Sequence, residues 1–228
     1  MKKYAISDIH GCVNTFIETL SKIGFNKDDN LYLLGDYIDR GVGSIKIIDK
    51  IISLRQDGFN INCLTGNHEQ MLLDAYKDAS REYLWVANGG SSVLKELNIN
   101  SVKDIPKIYI DFLENLKYYI ESDNFLFVHA GVNTHVSDPL ADKESLIWIR
   151  KWYDRDGLED WLQGRKIVHG HTPITKNEIE KTFKHFEYGS FLNIDNGCVF
   201  SGSTSEGYGN LCCVNLTDNE ILFQRNID

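Results

Sequence analysis

The sequence predicts a layered α/β domain, and three observations lead there. Three consecutive strand–loop–helix units open the chain, short β runs separated by turn residues close it, and no linker or internal repeat divides the two. A length of 228 residues suits one domain, 1–228. Hydrophobic residues at 42% and charged residues at 25% provide for a real core, so the chain is not of the disordered class.

Tyr4-Ala5-Ile6 is the first apolar run, broken by Asp8-Ile9-His10-Gly11. Phe16, Leu20 and Ile23 then recur at helical spacing until Gly24. The second unit begins at Leu31-Tyr32-Leu33-Leu34, whose near-continuous apolar character predicts a strand buried on both faces. After the loop 35–41, a helix is expected from Ser44 to Gln56, with Ile45, Ile48 and Ile52 on one face and Gly58 ending it. The third unit is a strand over 59–64, a loop over 66–69, and a helix through Met71, Leu72 and Ala75.

Residues 81–119 read as helical, with breaks at Gly89-Gly90 and Pro106. Leu113, Leu116 and Ile120 read as core. A strand over 125–128 leads into His129-Ala130-Gly131. The less regular segment 133–164 carries Trp148, Trp152 and Trp161, expected as three buried anchors. Ile167-Val168 is another short strand, ending in His169-Gly170-His171-Thr172-Pro173. Beyond it, β runs are expected at 191–194, 198–200, 211–216 and 221–224, with the Gly- and Ser-rich stretch 201–209 as a loop.

The formal net charge of −9 argues against a nucleic-acid partner held on a broad basic surface. A phosphate substrate stays compatible, because bound divalent cations reverse the local charge. The five cysteines are odd in number and sit largely in apolar runs, the pattern of reduced, buried thiols. Asp8 and His10 follow Lys2 and Lys3 too soon for a secretory leader, and no uncharged run is long enough for a bilayer. The expectation is a soluble cytoplasmic protein without a membrane partner.

Five polar clusters each follow an apolar run: Asp8-x-His10-Gly11, Gly35-Asp36-Tyr37-Ile38-Asp39-Arg40-Gly41, Gly66-Asn67-His68-Glu69, His129-Ala130 and Gly170-His171-Thr172. In layered α/β folds, loops at the carboxyl ends of strands converge on one crevice. Singly, each cluster is an ordinary turn; together they bring oxygen and nitrogen ligands to one place without thiolates. That donor set suits Mn, Fe, Zn or Mg in a hydrolytic site better than a structural zinc knot.

These clusters resemble the metallophosphoesterase superfamily, and Gly-Asp-x-Ile-Asp-Arg-Gly with Gly-Asn-His-Glu resembles its serine/threonine phosphoprotein phosphatase branch. The bacterial and phage lambda phosphatase group is similar in length and in Gly66-Asn67-His68-Glu69-Gln70-Met71; diadenosine tetraphosphatases share the branch. The resemblance implies a β-sandwich flanked by helices (αββα) and a hydrolase with two divalent metal ions, Mn foremost. Asp8 and His10 would hold one ion, Asp36 would bridge, and Asn67, His129 and His171 would complete the second site. His68 would protonate the leaving group, Asp39 would orient His68, and Arg40 would grip the phosphate, with Arg150 as a second phosphate arginine. Water activated between the ions would attack directly, with no phosphoenzyme.

The chain departs from the family pattern at Thr65, where many phosphoprotein phosphatases carry arginine. Pro173 stands where other branches place a further histidine ligand. His169 and Asp195 read as structural. The resemblance favours phosphorylated proteins or peptides as substrates, with dinucleoside polyphosphates as the alternative.

Overall fold

The computed structural model describes residues 1–153, 157–200 and 206–228. From the amino end, β1 (Lys3–Ile6), α1 (Val13–Lys22), β2 (Asn30–Leu33), α2 (Ser44–Gln56), β3 (Asn60–Cys63) and α3 (Asn67–Lys77) alternate. The middle holds α4 (Glu82–Trp85), a π-helical turn at Val86–Gly90, α5 (Ser91–Leu97) and α6 (Lys107–Glu114). The hairpin of β4 (Tyr119–Ser122) and β5 (Phe125–Val128) precedes α7 (Lys143–Trp148), α8 (Leu158–Leu162) and β6 (Lys166–His169). The chain ends in α9 (Lys176–His185), β7 (Phe191–Asn193), β8 (Asn210–Asn215) and β9 (Glu220–Arg225).

One sheet has the order β3-β2-β1-β8-β9, the other β4-β5-β6-β7. β1, β2 and β3 run parallel, as do β5, β6 and β7. Side chains along a strand alternate between faces, and in β1, β2, β5 and β6 both faces are buried. Tyr4 and Ile6 of β1 and Leu31 and Leu33 of β2 pack toward the α1–α2 side. Ala5, Tyr32 and Leu34 point the other way, into the layer shared with Phe127, Val168, Leu192 and Val214. Leu126, Val128 and Ile167 face the outer layer with Leu146, Trp152 and Leu158. The result is the helix-flanked sandwich that the resemblance implies, and the double burial explains the unbroken apolar runs. Tyr32 stacks on Phe127 across the two sheets, at 4.1 Å between ring centres and 7° between planes. Such a pair adds about 0.5–1.5 kcal/mol beyond its buried area, enough to fix how the sheets sit on each other.

Four expectations need correction. Residues 198–200 are no strand: Gly197 takes φ 63° and its carbonyl accepts Phe200 N–H at 2.8 Å, closing a turn. The helical stretch stops short of Tyr119, where β4 begins. An unexpected helix, α9, starts on the capping box of Thr175 and Glu178 and buries Ile179 and Phe183 one turn apart. Of the three late tryptophans only Trp152 is a buried anchor. Trp148 is 40% exposed, and Trp161 lies partly exposed under the Arg165 guanidinium. Most of the expected loop 201–209 lies outside the described residues.

All five cysteines are free and buried, as expected. Among the described residues, no helix is long and apolar enough to cross a membrane.

Candidate active site

The parallel strands of each sheet end on the same edge, and the two edges meet. His129, one residue past β5, sits 2.8 Å from the carbonyl of Leu34, one residue past β2. Asp8, His10, Asp36, Asp39, Arg40 and His171 all take positive φ, between 44° and 70°. Side chains avoid that region, and such strain gathers where surrounding structure enforces it for function. Two glycines give the room: a Cβ on Gly66 would collide with the Asp36 carboxylate, and one on Gly170 with Ser7 and Asp8.

His129, Asn67, His171 and Asp36 form one grouping. The Leu34 carbonyl can only accept, so His129 carries its proton on Nδ1 and turns the lone pair of Nε2 inward. That lone pair meets Asn67 Oδ1 at 3.1 Å, His171 Nδ1 at 3.2 Å and Asp36 Oδ1 at 3.5 Å. His171 Nδ1 is 2.9 Å from Asn67 Oδ1. Four buried acceptor-type atoms turned on one another are the donor set of a cation.

His10, Asp36 and His68 form the other grouping, around the second oxygen of Asp36. Oδ2 lies 3.5 Å from His10 Nε2 and 4.0 Å from His68 Nε2. His10 Nδ1 faces the Ile38 carbonyl at 2.8 Å, which again leaves Nε2 its lone pair. The Arg40 guanidinium spans the histidines, Nη1 on His10 Nε2 at 2.7 Å and Nη2 on His68 Nε2 at 2.9 Å.

Asp8 belongs to neither grouping. Its Oδ2 accepts from the Ser7 hydroxyl and from the His171 N–H at 3.1 Å, and Asp195 and Asp36 act on it electrostatically. Burial pushes Asp8 well above and Asp36 above the usual carboxylate range, and drives His10 well down and His129 to about 3. Divalent cations would hold these dry carboxylates and imidazoles in their deprotonated, ligating forms. The residues fit the group.

His68 Nδ1 meets Asp39 Oδ2 at 2.7 Å. Asp39 is also fixed by the Trp85 indole N–H, at 3.0 and 3.1 Å from its two oxygens. Burial raises the Asp39 carboxyl, and the indole opposes that. The indole can only donate, so the Asp39 oxygens accept from it. The Arg40 N–H donates to the carbonyl of Gly89, whose φ of 118° favours glycine, so the π-helical turn braces the Arg40 backbone.

Glu69, which has no expected role beyond its motif, holds the Asp36 loop. Its buried carboxylate accepts Asp36 N–H and Tyr37 N–H at 2.8 Å and Gly66 N–H at 2.9 Å. Burial and Asp36 lift its pKa to about 8, and these N–H groups pull against them. A Gly-x-x-Glu start to a helix is the signal that could have found it. Glu69→Gln would turn an N–H donor against a backbone donor. It should destabilise by about 1–3 kcal/mol, lowering Tm by roughly 2–12 °C in a chain of this size. Calorimetric melts check it; an unchanged Tm would mean that the loop holds without this anchor.

Arg150 follows α7, exposed, with Nη1 on Thr172 Oγ1 at 3.2 Å, and its charge acts on Asp36 and His171. Thr65 is buried, with its hydroxyl on the Gly66 carbonyl. His169 packs against the Trp152 ring, with the Tyr153 hydroxyl at 3.1 Å from its Nε2. Asp195 takes the Gly197 N–H at 2.8 Å.

The asymmetrical bis(5'-nucleosyl)-tetraphosphatase PrpE of Geobacillus sp. strain WCH70 is 26% identical, over 89% of this chain and 88% of that protein. Serine/threonine-protein phosphatase 1 of Salmonella typhimurium is also 26% identical, over 87% and 88%. The symmetrical bis(5'-nucleosyl)-tetraphosphatase of Nitrosomonas europaea is 30% identical over 58% of this chain, a match that spans 45% of that enzyme's length. The crystal structure of a putative diadenosine tetraphosphatase superposes with a TM-score of 0.68 and 18% identity, covering 97% of this chain and 92% of that one. The profile of the calcineurin-like phosphoesterases matches residues 1–202, and with two His/Asp groupings able to hold metal ions the chain belongs to that metallophosphoesterase family.

Proposed function

We propose that this phosphoesterase hydrolyses dinucleoside polyphosphates at a dinuclear metal centre bridged by Asp36. One observation carries the chemistry: the two oxygens of Asp36 serve different groupings, Oδ2 toward His10 and Oδ1 toward His129, each at 3.5 Å. Two divalent ions there, Mn foremost, would acidify a water and neutralise phosphate oxygens. Asn67, His129 and His171 would share one ion. His10 would hold the other together with Asp8, which its bond to the His171 N–H keeps at the same edge.

The remaining work falls to the chain's own side chains. Arg40 and Arg150 both act on Asp36 electrostatically, so a phosphate reaching the centre would meet two guanidinium forks. Arg40 would leave His10 and His68 to take the phosphate. That would free His68 Nε2 to carry a proton to the leaving oxygen, while Asp39 holds Nδ1–H and the ring's direction.

The choice of nucleotide over phosphoprotein, which the sequence alone had placed second, rests on relatives matched along most of their length and on Thr65. A phosphate clamp short of one arginine suits an anhydride chain whose other phosphates can reach Arg40 and Arg150. The phosphoprotein reading is kept as the second, because the Salmonella phosphatase matches as fully as PrpE does.

Turnover of diadenosine tetraphosphate and of a phosphoserine peptide by the Mn-loaded protein tests both. We expect the dinucleotide to be preferred by kcat/KM, and chelation to stop both reactions. A peptide preference would reverse the substrate order; turnover that survives chelation would remove the metal centre itself.

A further inference from the structure

We propose that the pocket between α3 and α7 is the base-binding subsite of this enzyme, holding one nucleoside of the substrate beside the metal centre; this rests on the nucleotide reading above. The pocket has a volume of about 340 Å³, within the range of roughly 300–1,000 Å³ typical of small-molecule sites. Both of its walls lead into the catalytic groupings. Gln70 lies two residues beyond His68 on α3, and Trp148 ends α7 just before Arg150.

Trp148 marks the boundary. Its ring stands perpendicular to that of His171, 84° between planes and 6.2 Å between centres, yet the residue is 40% exposed. A large aromatic side chain left open against a metal-ligand candidate is a ready stacking platform for a base.

The opposite wall is already organised. The Tyr118 hydroxyl donates to Gln70 Oε1 at 2.7 Å, Gln70 Nε2 donates to Asp74 Oδ1 at 2.7 Å, and Arg81 Nη1 holds Asp74 Oδ2 at 3.0 Å. The chain fixes the Gln70 amide, leaving its second N–H for the edge of a planar heterocycle. Asp74 and Glu144 balance Arg81 and Lys143, so the pocket carries no net formal charge. A cavity meant for further phosphates would be cationic. A neutral, aromatic and amide-lined cavity beside a phosphate site suits the uncharged end of a nucleotide. An extended phosphopeptide would fill it with a single side chain at most.

Binding of AMP and of ribose 5-phosphate to the Mn-loaded protein, measured by calorimetry, isolates the base. We expect AMP to bind tighter by roughly 5- to 150-fold, the span of base–aromatic stacking. Trp148→Ala should bring that ratio close to one, and Trp148→Phe should keep part of it. The ratio cancels any change at the metal centre, which alters both ligands alike. Equal binding of the two by wild type, or a ratio that survives Trp148→Ala, would overturn the subsite. The ratio behaving as expected in a protein that fails to cleave diadenosine tetraphosphate would keep the subsite and remove the substrate reading. Cleavage of that dinucleotide with a ratio near one would do the reverse.

Discussion

Asp36→Asn is expected to abolish hydrolysis, by roughly 1,000-fold or more, and to reduce metal binding from two ions to at most one weak one. A single oxyanion donor is worth about 100- to 1,000-fold in comparable sites, and this substitution touches both ions at once. The direction of the loss follows from the hydrogen bonds. Asp36 Oδ1 accepts the His68 N–H at 3.1 Å, so the asparagine keeps its carbonyl oxygen there. The amide nitrogen then replaces Oδ2 and points a donor at His10 Nε2, which the carboxylate faced at 3.5 Å. The His10 grouping loses its anionic ligand outright. The His129 grouping keeps a neutral oxygen and binds more weakly. The fold should hold, because shape and the Glu69 anchor on the Asp36 N–H are unchanged. Metal titration with elemental analysis checks this, and two ions bound at wild-type affinity would end the bridging role.

Much of this site is legible in the sequence because its parts are local. Each polar cluster follows an apolar run, and topology alone then delivers Asp8 and His171, 163 positions apart, to a hydrogen bond. The resemblance adds the roles. What stays hidden is whatever depends on a partner distant in sequence. Nothing around Trp85 announces that its indole will reach Asp39 across 46 positions. Nor does anything near Tyr153 announce its bond to His169. The left-handed backbone at Asp8, His10 and Asp39 is equally invisible, since their types favour other conformations and only the packed surroundings impose this one.

Trp148 shows a different limit. An aromatic residue in an apolar pattern reads as core, and Trp152 four positions on obeys that reading, buried at 2% exposure. α7 ends at Trp148 and the chain turns extended at Ile149, so the ring is left at the rim beside His171. Helix α9 is legible in the sequence. Thr175 with Glu178, then Ile179 and Phe183, spell a capped amphipathic helix.

His68→Asn should leave both ions in place and slow hydrolysis of alkyl phosphates by roughly 100- to 10,000-fold, the range of general acid catalysis. The geometry sets up a competing outcome. His68 lies close enough to His10 and Asp36 to be a third ligand in that grouping, whereas Asp8 is turned onto Ser7 and the His171 N–H. A ligand would take its metal away on substitution; a proton donor would not. Metal content of His68→Asn and Asp8→Ala, measured side by side, separates the two, and we expect the loss in Asp8→Ala alone. Kinetics then add a second axis. A serine alkoxide is a poor leaving group and needs the proton, while a nucleotide phosphate leaves readily as an anion. The same substitution should therefore cost far less on diadenosine tetraphosphate than on a phosphoserine peptide. Trp85 holds Asp39 whether or not His68 is present, so misplacement of that neighbour is not the source of the difference. Equal losses on both substrates with full metal content would take the acid role from His68 and leave it a positioning residue.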